Sequence, residues 1–265
     1  MAMGSKAYES PLISHTRMRA MYRALVEVRA LADRAKTRSM RGIEACWVGT
    51  AIDLKEGDLT SDSGGAHESF LLEHVRSAGQ RESASALKAS ELKRALPRLK
   101  EPKQEQFPGS SCERVLCAIG AGMALKAAGA HGVAIAYVGL SELTPAEWKR
   151  VLTLMGQAGL PLVLMVLPSN KRVDLETLAT KVSVSSGTPV PVIPVDAGDA
   201  VATYRVTQET IVRARAGGGA AVILGVECGT NGVKLLGSQL VGKGICTERW
   251  VNAAENKLQS LLATS

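Results

Sequence analysis

The run VAIAYVGLSELTPAEWKRVLTLMGQAGLPLVLMVL, Val133 to Leu167, decides the fold. It opens with a short apolar segment and closes with another, LPLVLMVL. Between them TPAEWKRVLTLMGQAG reads as a helix, with Thr144 as N-cap, Pro145 in the first position and Glu147 three residues after the cap. Strand, helix and strand in that order form a parallel pair with a crossover. Ligands in such sheets bind beyond the carboxyl ends of the strands. The first end here is Gly139–Leu140–Ser141. It offers an apolar side chain where polar chemistry is usual.

The alternation continues downstream. A short helix near VDLETLATKV leads to the strand VPVIPV. The helix DAVATYRVTQETIVRARAG, the strand AAVILGVE and a last helix near ERWVNAAENKLQSLL follow. Upstream, ERVLCAIGAGMALKAAG is a helix entering the first strand. From about 12 to 105 the sequence reads as almost wholly helical. Met18, Met21, Leu25, Val28, Leu31 and Ala32 recur at helical spacing, and RGIEACWVGTAIDL forms a second helix after Gly42. KEGDLTSDSGGAHES reads as a loop, ESASALKASELKRALPRL as a helix ended by Pro97, and KEPKQEQFPGSS as a connector. The organisation expected is a helical N-terminal region, 12–105, packed on a parallel α/β core, 106–265.

Hydrophobic residues make up 46% of the chain and aromatics only 3%. A core of Ala, Val, Leu and Ile suits parallel strands covered by helices. No apolar run reaches the roughly 18 residues of a spanning helix, and MAMGSKAYES has no apolar h-region of a secretory signal. The five cysteines include no CxxC pair and read as buried thiols of a cytoplasmic protein. No His/Cys cluster has zinc spacing. The net charge of +7 is spread along the chain, except for His15–Arg41, with eight Lys/Arg against two acids. That stretch reads as a solvated or subunit-facing helix. Nucleic acid is disfavoured because no aromatics interleave with the charge.

Several segments together resemble the alpha subunit of thiamine-diphosphate-dependent 2-oxo acid dehydrogenases. These are MYRALVEVRALADR, then Gly42, Glu44, Ala45 and Gly49 in RGIEACWVGTAIDLKEGD, then AIGAGMALKAAG, GQAGLPLVLMV and VDAGDAVATYRVTQETIVRARAGGG. The resemblance implies an α/β fold of the thiamine-diphosphate-binding kind, a parallel sheet flanked by helices with a helical N-terminal segment. It also implies an oligomer, homomeric or with a beta-type subunit.

The cofactor contacts of that family are replaced here. Its diphosphate site uses Gly-Asp-Gly after one strand and an Asn pair after the next, and magnesium requires such hard oxygen ligands. The matching positions are Gly139, Leu140 and Ser141, then Pro168 and Ser169, with Asn170 one place late. Glu142, the nearest carboxylate, reads as part of the turn. Gly64 and Gly65 fall on the Tyr-Arg diphosphate clamp, and only Ala66 and His67 are kept. His67 is the sole catalytic candidate, with loop packing as its ordinary role. The family's loop histidine has no counterpart, since no histidine follows His131. GSSCERVLCA replaces the glycine-rich segment that meets the cofactor ring, and VECGTNGVKLLGSQLVGKG is full of glycine with no candidate acid or base near Glu227 and Cys228.

These losses imply no bound cofactor or metal and a partner or scaffold subunit without activity as a lone chain. The alternative is an active oxidoreductase working on the aldehyde or oxo group of a 2-oxo acid with a beta subunit, thiamine diphosphate and magnesium. A third reading places another small molecule at the strand ends, lined by Ser141, Ser169, Asn170, Asp196 and Asp199. Asp196 and Asp199 also read as caps of the helix that begins near 199. Glu44 reads as structural, and Trp47 and Trp148 as core or interface.

Overall fold

The computed structural model describes residues 13–34, 42–61, 66–80, 109–156, 159–169, 174–186 and 189–263. The N-terminal ten residues, the Pro97 helix, residues 100–108 of the connector after it, Gly64, Gly65 and Asn170 lie outside these. In chain order the elements are α1 (His15–Arg34), α2 (Glu44–Ala51), β1 (Leu59–Ser61), α3 (Ala66–Gln80), α4 (Ser111–Ala127), β2 (Ala134–Gly139) and α5 (Pro145–Met155). They continue with β3 (Leu162–Leu167), α6 (Leu175–Ser186), β4 (Val192–Asp196), α7 (Ala200–Arg215), β5 (Ala221–Val226), α8 (Gly232–Gly242) and α9 (Glu248–Ala263). The five strands form one parallel sheet in the order β1-β2-β3-β5-β4.

Alternation along the strands divides the core in two. Ile135, Tyr137, Val163, Met165, Leu167 and Ile223 face α1, α2, α3, α7 and α8. Ala134, Ala136, Val138, Leu162, Leu164 and Val166 face α4, α5 and α6. A strand buried on both faces shows no polar alternation, which is why VAIAYV and LPLVLMVL read as continuous apolar runs. Pro194 is exposed on β4, an edge strand, where a missing N–H costs no ladder bond.

The N-terminal region is not wholly helical. Leu59–Ser61, read as loop, is the edge strand β1, in register with Ala134–Ala136. Three residues are too short for a periodic signal. Asp58 anchors this edge. Its carboxylate accepts from Lys55 N (2.7 Å), Val133 N (3.0 Å) and Arg215 Nη2 (2.7 and 2.8 Å). Helix α3 begins inside the stretch read as loop, at Ala66–Ser69, and α8 lies in the glycine-rich stretch after β5, where no helix was read.

The basic helix is also corrected. Among its described residues, α1 is the spine of the first core layer, with Met18, Met21, Leu25, Val28 and Leu31 buried. Three of its arginines make contacts within the chain. Arg17 pairs with Asp53 at 2.6 Å, Arg19 donates to the Ile245 carbonyl at 3.0 Å, and Arg23 lies 5.0 Å from the Trp250 ring centroid. Glu44 is structural, 1% exposed, and Trp47 and Trp148 are core residues. Trp47 stacks on Tyr137 at 4.4 Å between ring centroids.

Helices α2 and α7 cross closely because Gly49 has no side chain. A Cβ there would lie 2.7 Å from Thr203 Cβ and 2.9 Å from the Tyr204 backbone nitrogen. Gly49→Val is expected to cost at least about 2 kcal/mol through overpacking, read as a lowered urea midpoint with an unchanged slope.

Tyr22, Tyr137 and Tyr204 all have raised pKa values, burial being the main cause in each. Tyr22 donates to Glu255 at 2.7 Å, Tyr204 donates to Asp53, and the Tyr137 and Thr50 hydroxyls are 2.7 Å apart. Stability that depends on these neutral phenols is complete below the unfolded value of about 10. It falls above that pH, because the unfolded chain releases protons that the folded chain keeps. Phenolate absorbance of these three is therefore expected to appear together with unfolding in an alkaline titration.

Candidate functional site

At the carboxyl end of β2 the chain turns through Gly139, Leu140 and Ser141 into α5. Leu140 is 9% exposed, in the same buried cluster as Leu143, Trp148 and Val166. Its N–H donates to the Leu167 carbonyl at 3.0 Å, tying the turn to the end of β3, and its carbonyl accepts from Trp148 Nε1 at 3.2 Å. Glu142 N closes the turn on the Gly139 carbonyl at 2.9 Å. A Cβ on Gly139 would meet Glu142 Oε1 at 2.8 Å, so the Glu142 side chain folds back along the turn. Ser141 is exposed and Ser169 half-buried beside the end of β3. His67 lies on α3. The capping box on α5 is present, with Glu147 N donating to Thr144 Oγ1 at 3.3 Å and Thr144 N donating to Glu147 at 2.7 Å.

A magnesium diphosphate does not fit this turn. A dication needs hard oxygen ligands, and the central position presents a buried methyl-bearing side chain whose backbone polar groups are both engaged. Among the described residues, no group of three or more His, Cys, Asp or Glu side chains could hold a metal ion. The segment that the resemblance aligns with a ring contact, GSSCERVLCA, begins with a helix capping box. Ser110 Oγ accepts from Glu113 N at 3.3 Å, and the Glu113 carboxylate accepts from Ser110 N at 2.6 Å.

A cavity lies elsewhere, at the ends of β4 and β5 beneath α1. Its volume is about 460 Å³, and its lining includes Arg29, Asp33, Gly198, Glu227, Cys228 and Asn231. None of Ser141, Ser169, Asp196 or Asp199 is in its lining. Asp196 and Asp199 instead build its supports. Asp199 caps α7, accepting from Val201 N at 2.9 Å and Ala202 N at 3.0 Å. Asp196 does not cap that helix. It accepts from Gly198 N at 2.8 Å and from the Thr230 hydroxyl at 2.6 Å, joining the two strand-end loops.

Those loops touch through glycines. A Cβ on Gly198 would lie 2.5 Å from the Thr230 carbonyl oxygen, and one on Gly232 would lie 2.7 Å from the Gly198 carbonyl oxygen. On the opposite wall Glu44 holds Arg29 by a two-point ion pair, Nε to Oε1 at 2.9 Å and Nη2 to Oε2 at 3.0 Å. Arg29 Nη1 donates to Asn231 Oδ1 at 2.8 Å. Hydrogen bonding to Glu44 raises the Arg29 pKa against the opposing effect of burial, and Asp33 adds to the rise.

Sequence reasoning passed over Arg29 and Asn231 as site residues. Asn231 had a local signal. It precedes Val233, Leu236 and Leu240, an apolar stripe at helical spacing, and it caps α8 by accepting from Lys234 N at 3.2 Å. The cysteines divide. Cys46 and Cys112 are buried, with burial raising the pKa of both, whereas Cys117 and Cys228 are exposed and Cys246 is intermediate. No helix among the described residues is long and apolar enough to cross a membrane. Among known proteins, no family model matches this sequence, and no curated protein matches it.

Proposed function

We propose that this chain is an alpha-subunit-like protein of the thiamine-diphosphate-dependent 2-oxo acid dehydrogenase type that has lost its own cofactor site. It acts as a partner or scaffold subunit in a homo- or hetero-oligomer, with a beta-type chain as the candidate partner. The cytoplasm is its compartment on this reading, consistent with five free thiols. The observation that carries the reading is the Leu140 turn. The sequence resemblance matches this turn to the segment that carries the family's magnesium ligand, and an apolar side chain packs in it. An arginine or carboxylate site could drift by one substitution. Here the positions of the carboxylate, the Asn pair, the diphosphate clamp and the loop histidine all differ together.

The test is the mass of the native complex isolated from its source. A complex containing several copies, or this chain with a second, different one, is the expected result. A monomer mass under the same gentle conditions would remove the subunit role.

A further inference from the structure

The geometry points to the cavity beneath α1 as a binding site for a free α-amino acid, a compact molecule carrying one carboxylate and one ammonium group. This does not rest on the subunit reading. The volume of about 460 Å³ lies within the range of small-molecule pockets, and it opens at the carboxyl ends of two parallel strands. The floor is preorganised, because Asp196 bridges the two strand-end loops and Gly198 packs against Thr230 with no room for a methyl group.

Donors for a carboxylate stand on the wall. A guanidinium has five N–H groups. Arg29 engages three of them, two on Glu44 and one on Asn231, leaving one on each Nη nitrogen. Asn231 Oδ1 accepts from both Arg29 and Lys234 N. That double acceptance fixes the amide orientation and leaves its NH2 group as a further donor. Buttressing by Glu44, itself 1% exposed, holds the guanidinium in place before any ligand arrives.

The acceptor for an ammonium is Glu227. It lines the same cavity, is exposed, and makes no hydrogen bond or ion pair among the described residues. Charge selects the zwitterion. Asp33 and Glu227 both line the cavity, so a phosphate would bring additional negative charge against them, and an amino acid brings none.

Thermal-shift measurements of the full chain against the protein amino acids, followed by calorimetry with the best of them, test the site. At least one amino acid is expected to raise the melting temperature and bind saturably. Its N-acetyl derivative and its decarboxylated amine should each bind about tenfold more weakly. Arg29 also holds Glu44, so its variants confound folding with binding. Glu227→Gln avoids this. It should leave the melting temperature of the free protein unchanged, weaken the amino acid about tenfold and leave the N-acetyl derivative unaffected. Absence of binding by every amino acid would overturn the proposal. So would wild-type affinity in Glu227→Gln, or phosphate binding as tightly as the best amino acid.

Discussion

Asp58→Ala is expected to cost about 3–5 kcal/mol of folding stability, among the largest losses for a single substitution outside the apolar core. The carboxylate is 1% exposed in its side chain and accepts hydrogen bonds from three residues. Alanine leaves the Lys55 and Val133 N–H groups without their acceptor and strands the partly buried Arg215 guanidinium. Breaking such a pair from one side costs more than the pair contributes, because the remaining charge stays desolvated. Asp58 also joins three elements, the entry to β1, the entry to β2 and the end of α7. Asp58→Asn keeps the size and one acceptor oxygen but lacks the charge, and should fall between wild type and alanine. Urea unfolding followed by tryptophan fluorescence measures both. A loss under about 1 kcal/mol for alanine would contradict the arrangement at this edge.

Leu140→Asp should cost at least about 3 kcal/mol at neutral pH, because the loss of a buried leucine is compounded by desolvation of a carboxylate. The substitution restores the residue type that the resemblance places at this position. The surroundings do not match it. Trp148, Leu143 and Val166 share its cluster, and both backbone polar groups of Leu140 are already bonded. Burial raises the pKa of the introduced carboxyl in the folded state. The variant's deficit should therefore shrink as pH falls from the raised folded value toward the unfolded value of about 4, and be smallest below it, where both states are protonated. Stability curves at acid and neutral pH read this directly. An aspartate tolerated without loss would mean the turn has room for a charged, hydrated group.

Legibility from sequence followed signal length. Six-residue strands buried on both faces and capped helices such as α5 and α7 announce themselves by composition and by their first turns. The strand β1 did not, since a three-residue edge strand carries no period and its identity comes from pairing with β2. Helix α8 was masked by its glycines. Gly237 is there because the Tyr22 ring would lie 3.2 Å from any Cβ, a tertiary reason that local propensity cannot express. The charge of α1 misled in the opposite direction. Its arginines suggested a wetted face, but Met18, Met21, Leu25, Val28 and Leu31 are buried and the heads of Arg17, Arg19 and Arg29 reach Asp53, Ile245 and Glu44.

The site divided in the same way. Apolar closure of the Leu140 turn was legible because a leucine in a strand-end turn has only apolar neighbours to pack on. The cavity was not, because its wall joins α1 to the β5 loop across 202 residues of sequence, through the Arg29–Asn231 hydrogen bond. Only the folded chain brings that arginine and that asparagine together. Asp196 and Asp199 show the intermediate case. Both were visible as strand-end acids, but capping by Asp199 followed from its position, and the bridge from Asp196 to Thr230 did not.

On the proposed reading, Leu140 packs where the resembling family holds magnesium and diphosphate. Calorimetry of the purified chain with thiamine diphosphate and magnesium tests it most directly. No saturable heat is expected at micromolar to submillimolar cofactor. Saturable micromolar binding would contradict it and restore the reading of an active 2-oxo acid oxidoreductase subunit.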